Sequence, residues 1–185
     1  MKSALVQAAT DLLRATSPPM LVNHCLRTHA FGLAIAARDG LRPDPELFYV
    51  AAALHDLGFT ERFGGTVPFE QAGAAAAAEL LDGHPGTGTV VDAIRLHVDL
   101  ATAHDPRPEV ALVHLAAAAD VFGLGLDDLD GATTRRILDE HPRLDFDQAA
   151  VALLETEAQR FPGSRAADLV RTGALRRIGP PAVRP

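Results

Sequence analysis

The sequence predicts an all-α chain folded as a single-domain helical bundle. Apolar residues recur at helical spacing through most of its 185 residues. No segment shows sustained strand alternation with hairpin turn signals, and Pro and Gly punctuate the periodic stretches. Abundant alanine favours helices that pack closely. A chain of this length buries a real core as one domain.

The elements follow in order. Residues 3–15 form an amphipathic helix with Leu5, Ala8, Ala9, Leu12 and Leu13 on one face, ended by Ser17-Pro18-Pro19. A second helix spans 20–38 and stops at Asp39-Gly40. Pro43-Asp44-Pro45-Glu46 opens a third, expected to run to Leu57 with Gly58 as its stop. Residues 59–67, with Gly64-Gly65, read as an exposed loop. A helix follows from Pro68 to Leu81, then a Gly/Pro loop from His84 to Gly88. Thr89 and Asp92 resemble a capping box for a helix running to about Ala101. After the Asp105-Pro106-Arg107-Pro108 turn, residues 109–121 form an apolar helix ending near Phe122-Gly123. Helices around 132–140, 145–160 and 164–176 complete the chain, and Gly179-Pro180-Pro181 reads as frayed.

Composition narrows the partners. A formal charge of −7 argues against nucleic acid and anionic membrane surfaces as main partners. Cys25 is the only cysteine, so no disulfide framework exists within the chain, which fits a reducing cytoplasm. Met1 to Thr16 carries Lys2, Asp11 and Arg14 and lacks a continuous apolar stretch, so no secretion signal is expected. No segment is long and uncharged enough to span a bilayer.

His55-Asp56 ends the alanine-rich run Ala51-Ala52-Ala53-Leu54. An imidazole and a carboxylate at the end of a buried helix are costly unless something pairs with them. A divalent metal is such a partner, since it takes both donor types. His24, early in the second helix, and Asp120, after Ala116-Ala117-Ala118-Ala119, add candidate ligands from two further helices. Helical bundles build metal sites from side chains that project inward in this way. His29 lies about 140° around the helix from His24, so both cannot face one site. His114 reads as structural, and His84 and His141 as exposed.

The order His24, His55-Asp56, Asp120 resembles the HD-domain superfamily of metal-dependent phosphohydrolases. His24-Cys25-Leu26-Arg27, Ala53-Leu54-His55-Asp56-Leu57-Gly58 and Ala118-Ala119-Asp120-Val121-Phe122-Gly123 carry the resemblance. Asn23-His24-x-x-Arg27 with Phe31-Gly32, and Arg95-Leu96-His97, are similar to the cyanamide-hydratase-like branch. The resemblance implies a helical core over residues 20–125, preceded by an N-terminal helix at 1–19. C-terminal helices at 126–178 complete the same domain, and 179–185 form a frayed tail.

It also implies a divalent cofactor, zinc or iron first and manganese, cobalt or nickel next, held by His24, His55, Asp56 and Asp120. His97 and His104 are candidates for a second ion. Asp56 or Asp120 is expected to take a proton beside the metal, and His97 to protonate a leaving or developing nitrogen. Arg27 is expected to pair with Asp56 or anchor substrate. The implied activity is hydration of a small molecule, with a homodimer expected from family habit. A nucleotide or phosphomonoester phosphohydrolase is the alternative, weakened by Phe59 where such enzymes often carry a lysine. A non-catalytic signalling module is the reading of another class, opposed by the presence of all four expected ligands.

Overall fold

The bundle is organised around a short central helix. In the computed structural model, which describes residues 3–179, nine α-helices and no strand are found among the described residues. They are α1 (Ala4–Thr16), α2 (Pro19–Asp39), α3 (Pro45–Leu54), α4 (Phe69–Leu80) and α5 (Thr87–Leu96). After them come α6 (Pro108–Phe122), α7 (Gly131–Glu140), α8 (Phe146–Arg160) and α9 (Arg165–Arg171). The all-α expectation is borne out. Of the tail at 179–185, all but Gly179 lies outside the described residues. Among the described residues, no helix is long and apolar enough to cross a membrane.

Helix α3 contacts α1, α2, α4, α5 and α6. Its sequence explains this position. Asp44 accepts from the backbone N–H groups of Glu46 and Leu47, and Pro45 sits in the first turn, so the start is fixed. Ala51, Ala52 and Ala53 are buried and present no bulk, which lets neighbouring helices approach. Helix α2 lies along α6 and beside α3. Of these, α2 carries His24, α6 carries Asp120, and His55-Asp56 directly follow the end of α3.

Four boundaries differ from the sequence expectation. Helix α3 ends at Leu54, not Leu57; Asp56 leaves the helical region (φ −106°, ψ 11°) and a 3-10 turn covers Leu57–Phe59. Gly58 is not a left-handed stop. A Cβ there would lie 2.0 Å from the Phe69 carbonyl oxygen, so glycine is needed for the close approach of α4. Helix α5 starts at Thr87, whose hydroxyl donates to the carbonyls of Leu81 and His84, and the Thr89–Asp92 box is not used as a cap. That helix ends at Leu96, and a separate 3-10 turn spans Leu100–His104. In the last helix, Gly173 (φ 73°) breaks the run before a final 3-10 turn at Ala174–Arg177.

Helix α4 is tied to the C-terminal part. The Glu157 carboxylate on α8 accepts from the Phe69 N–H at 2.6 Å, capping α4 across the fold. Phe69 is thus fixed on one side by α8 and on the other by Gly58.

Two outcomes follow from this packing. Gly58→Ala must push α4 away from the 3-10 turn. It is expected to cost about 2–3 kcal/mol, seen as a fall of roughly 5–10 °C in thermal midpoint.

The second concerns pH. His29 packs on Phe48 and Tyr49, with ring centroids 5.4 and 5.0 Å away. Burial, helped by the nearby His141, lowers its pKa from 6.5 to about 4. The unfolded chain binds the proton first, so this contribution to stability is complete above about 6.5 and is lost as pH falls toward 4. In urea unfolding, His29→Leu is expected to reduce the stability lost between pH 7 and pH 5 by about 1 kcal/mol, a figure discounted for the ring's partial exposure.

Candidate metal centre

His24, on α2, is buried and held at both ring nitrogens. Its Nδ1 lies 2.6 Å from Asp120 Oδ2. An ionised carboxylate only accepts, so Nδ1 carries the proton and Nε2 points the other way. His55, the residue that caps the end of α3, donates from Nδ1 to the Ala52 carbonyl at 2.9 Å. His97, the residue that caps the end of α5, donates from Nδ1 to the Ile94 carbonyl at 2.6 Å. The helix ends explain these contacts, because a last-turn carbonyl lacks an intrahelical partner.

With the Nδ1 atoms engaged, the Nε2 atoms converge. His24 Nε2 and His55 Nε2 are 3.2 Å apart. Asp56 Oδ2 lies 3.2 Å from the first and 3.5 Å from the second. His97 Nε2 stands 3.7 Å from the other oxygen of Asp56. Ligand atoms of His24, His55 and Asp56 all fall within 4.8 Å of one another, an arrangement that could hold a metal ion. In their neutral forms, the two histidines aim lone pairs at each other beside a carboxylate. A proton or a cation between them relieves that repulsion.

The electrostatics agree. Burial alone would lower the pKa of His24, yet hydrogen bonds to Asp120 and Asp56 raise it above the ordinary value. Burial would raise that of Asp56, but the surrounding imidazoles, His55 first, hold it well below the usual carboxylate range. His55 is lowered by burial. His97 is lowered to about 3, by burial and then by His55. The pocket therefore favours a cation near His24 and Asp56 and keeps His97 neutral. His97 offers a lone pair there, not the proton that the sequence reading gave it.

Asp120 differs from its expected place. It has no exposed surface and lies behind His24, not among the converging atoms. Both of its oxygens are already engaged. Arg27 donates Nε to Oδ1 at 2.7 Å and Nη2 to Oδ2 at 2.8 Å. Arg143 donates Nη1 to Oδ1 at 3.0 Å and to the Asp120 backbone carbonyl at 2.8 Å. Burial opposes ionisation of Asp120, but His24 and Arg27 outweigh it and lower the pKa to about 2.

Arg27 is likewise corrected. It pairs with Asp120, not Asp56, and its fully buried guanidinium does not line the cavity described below. Its Nη1 also donates to the carbonyls of His141 and Pro142. His104 is exposed and does not join the cluster, because the 3-10 turn after α5 carries it outward.

Sequence reasoning missed three participants. Phe146, at the start of α8, stacks on His24 with centroids 4.5 Å apart and planes at 15°. Arg143, in the loop before it, secures Asp120 and also pairs with Asp147. His114, read as structural, donates Nδ1 to the His97 carbonyl at 2.6 Å and also lines the cavity. His114 lies six residues before Asp120 on the same helix, about 240° around it, so helical spacing gave no signal that both would serve the site.

The cluster opens onto a cavity of about 360 Å³. Beyond the four cluster residues and His114, its wall is apolar apart from Thr172 and Arg177. Phe59 and Phe69, stacked with centroids 3.9 Å apart, form part of it.

Residues 21–123 match the HD domain family model. The chain is also similar to the cyanamide hydratases DDI2 and DDI3 of Saccharomyces cerevisiae. It is 26% identical to each, over 80% of this chain and 70% of theirs.

Arg27→Met leaves Asp120 buried with one guanidinium fewer. It is expected to destabilise the fold by about 3–5 kcal/mol, read by urea unfolding. Arg27→Lys should recover only part of this, because an ammonium cannot reproduce the two-pronged contact. A raised KM with unchanged stability would instead return Arg27 to the role of substrate anchor.

Proposed function

The chain belongs to the HD-domain family, and on that premise we propose that it is a metal-dependent enzyme hydrating a small, neutral, nitrile-type molecule. The carrying observation is the triangle of His24 Nε2, His55 Nε2 and Asp56 Oδ2 opening onto an apolar cavity. Its edges of 3.2, 3.2 and 3.5 Å suit one face of a tetrahedron. Ligands about 2.0–2.1 Å from a tetrahedral zinc stand about 3.3–3.4 Å apart. Three protein ligands with a fourth position open is the pattern of catalytic zinc. Zinc is therefore the favoured ion, ahead of iron.

His24, His55 and Asp56 would hold the ion, and Asp120 and the Ala52 carbonyl would fix the imidazoles from behind. When bound, the cation supplies Lewis acidity and makes water nucleophilic near neutral pH. The residues do the rest. Neutral His97, with its Nδ1 proton committed to Ile94, accepts a hydrogen bond at Nε2 and orients the attacking water. Asp56 Oδ1, turned toward His97, takes the first proton and passes it to the nitrile nitrogen. Water adds across the C≡N bond. The oxygen–carbon bond forms as one carbon–nitrogen π bond breaks; loss of the second O–H proton then makes the C=O bond as the second carbon–nitrogen π bond breaks, and both water protons finish on the former nitrile nitrogen. Cyanamide would give urea.

The wall favours this reading over phosphoester hydrolysis. A phosphate group needs cations beside the metal. Arg27 and Arg143 are committed to Asp120. Among the described residues, Arg177 is the only arginine lining the cavity, and it is exposed. The chain's single lysine is Lys2. Phe59 and Phe69 stand where an anion would be poorly solvated.

Elemental analysis of the purified protein is expected to give one zinc per chain. Chelation should abolish urea formation from cyanamide, and zinc should restore it. His55→Ala should lose both metal and turnover while keeping its helical circular dichroism. Metal-free protein with full, chelator-insensitive turnover would overturn the proposal.

A further inference from the structure

We propose that the substrate is a nitrile-type molecule carrying a sizeable apolar body, such as an N-alkyl or N-benzyl cyanamide, and that the C-terminal helices select that body. This rests on the hydratase reading of the same site and goes on to name the substrate class.

The first observation is size. Cyanamide has few atoms, whereas the cavity measures about 360 Å³. At roughly 30 Å³ per water in the liquid, that is space for about a dozen waters. The second is chemistry. Apolar cavities hydrate poorly and favour apolar occupants. Past the cluster, the wall runs through Leu21, Val121, Phe122, Ala150, Leu153 and Leu154. None of these side chains offers a hydrogen bond to a small polar molecule adrift in that volume.

The third observation is the mouth. Leu100 lines the cavity yet is 80% exposed, and Leu124 is 44% exposed. Exposed leucines at the rim give an apolar solute a favourable entry. The fourth is where the far wall comes from. Phe146, Ala150, Leu153 and Leu154 on α8 and Leu169 on α9 all lie beyond residues 21–123 of the family match. The family core thus supplies the cluster, and the following helices supply the space around the substrate body. An alkyl or aryl group seated there leaves its C≡N carbon facing His97 and Asp56. Hydration balances as for cyanamide, with an N-substituted urea as product.

The zinc-loaded full chain is assayed with cyanamide and with N-methyl through N-hexyl cyanamides, and N-hexylurea and N-methylurea are titrated by calorimetry. The expected result is a rise in kcat/KM of about three- to fourfold per added methylene until the cavity is filled, with tighter binding of the longer urea. Ala150→Phe, checked for circular dichroism and zinc content, should flatten the chain-length dependence. Cyanamide turnover with no rise along either series overturns this inference and leaves the hydratase reading intact. Chain-length-dependent binding without turnover of any member overturns the hydratase reading, and with it the nitrile assignment, while supporting an apolar substrate body. If Ala150→Phe does not fold, the series on the unmodified chain decides.

Discussion

A carboxylate with no exposed surface, Asp120, governs the rest of the site. Burying a lone charge is prohibitive, so its surroundings have to supply compensation. They supply two guanidiniums and an imidazole N–H from α2 and from the loop before α8. Each contact has a second consequence. Bonding to His24 Nδ1 turns Nε2 toward His55 and Asp56. Arg27 reaches past Asp120 to the carbonyls of His141 and Pro142 and fixes the loop. That loop includes Leu144 in a left-handed conformation (φ 55°), a strain the surrounding bonds sustain. It also delivers Phe146 onto the His24 ring. One buried charge thereby aligns the cluster and seats the C-terminal helices over it.

Charge around the cluster nearly cancels behind His24 and does not cancel in front of it. Arg27 and Arg143 answer Asp120 and Asp147. Asp56 is left facing His55 and His97, which burial tends to keep neutral, and His24, whose proton affinity Asp120 and Asp56 itself raise. A single negative charge among converging lone pairs attracts a cation, and the apolar wall beyond it repels an anionic substrate. The proposed chemistry uses both properties: a cation as electrophile, and a neutral molecule as its target. His97 fits the same scheme, because its neutral ring keeps its one proton on Nδ1 for the Ile94 carbonyl and faces the cluster with an accepting Nε2.

The break between α3 and the following 3-10 turn is the local device that makes this possible. Were α3 to continue to Leu57, Asp56 would stand 100° around the helix from His55 and could not share its focus. The change of backbone direction at Asp56 brings the two neighbours onto one target. Gly58 and Phe69 lock that turn through backbone contact, and Glu157 on α8 locks Phe69.

By itself the sequence determined the all-α class, most helix starts and stops, and the importance of His24, His55, Asp56 and Asp120. These were legible because apolar periodicity, Pro and Gly signals and polar residues in alanine runs are local patterns. Asp44-Pro45 and Gly123 mark helix ends through chemistry within a few residues of themselves. Tertiary structure alone decided the roles. Whether Asp120 faces the cluster or backs His24 depends on where Arg27 and Arg143 lie, and Arg143 is 23 residues away in the chain. His104 turned outward and His114 inward because the end of α5 and the packing of α6 set their directions. Phe146 reached His24 only through a loop held by buried hydrogen bonds. Such choices are made by long-range compensation of charge and by packed volume, and neither is written in the spacing of neighbouring residues.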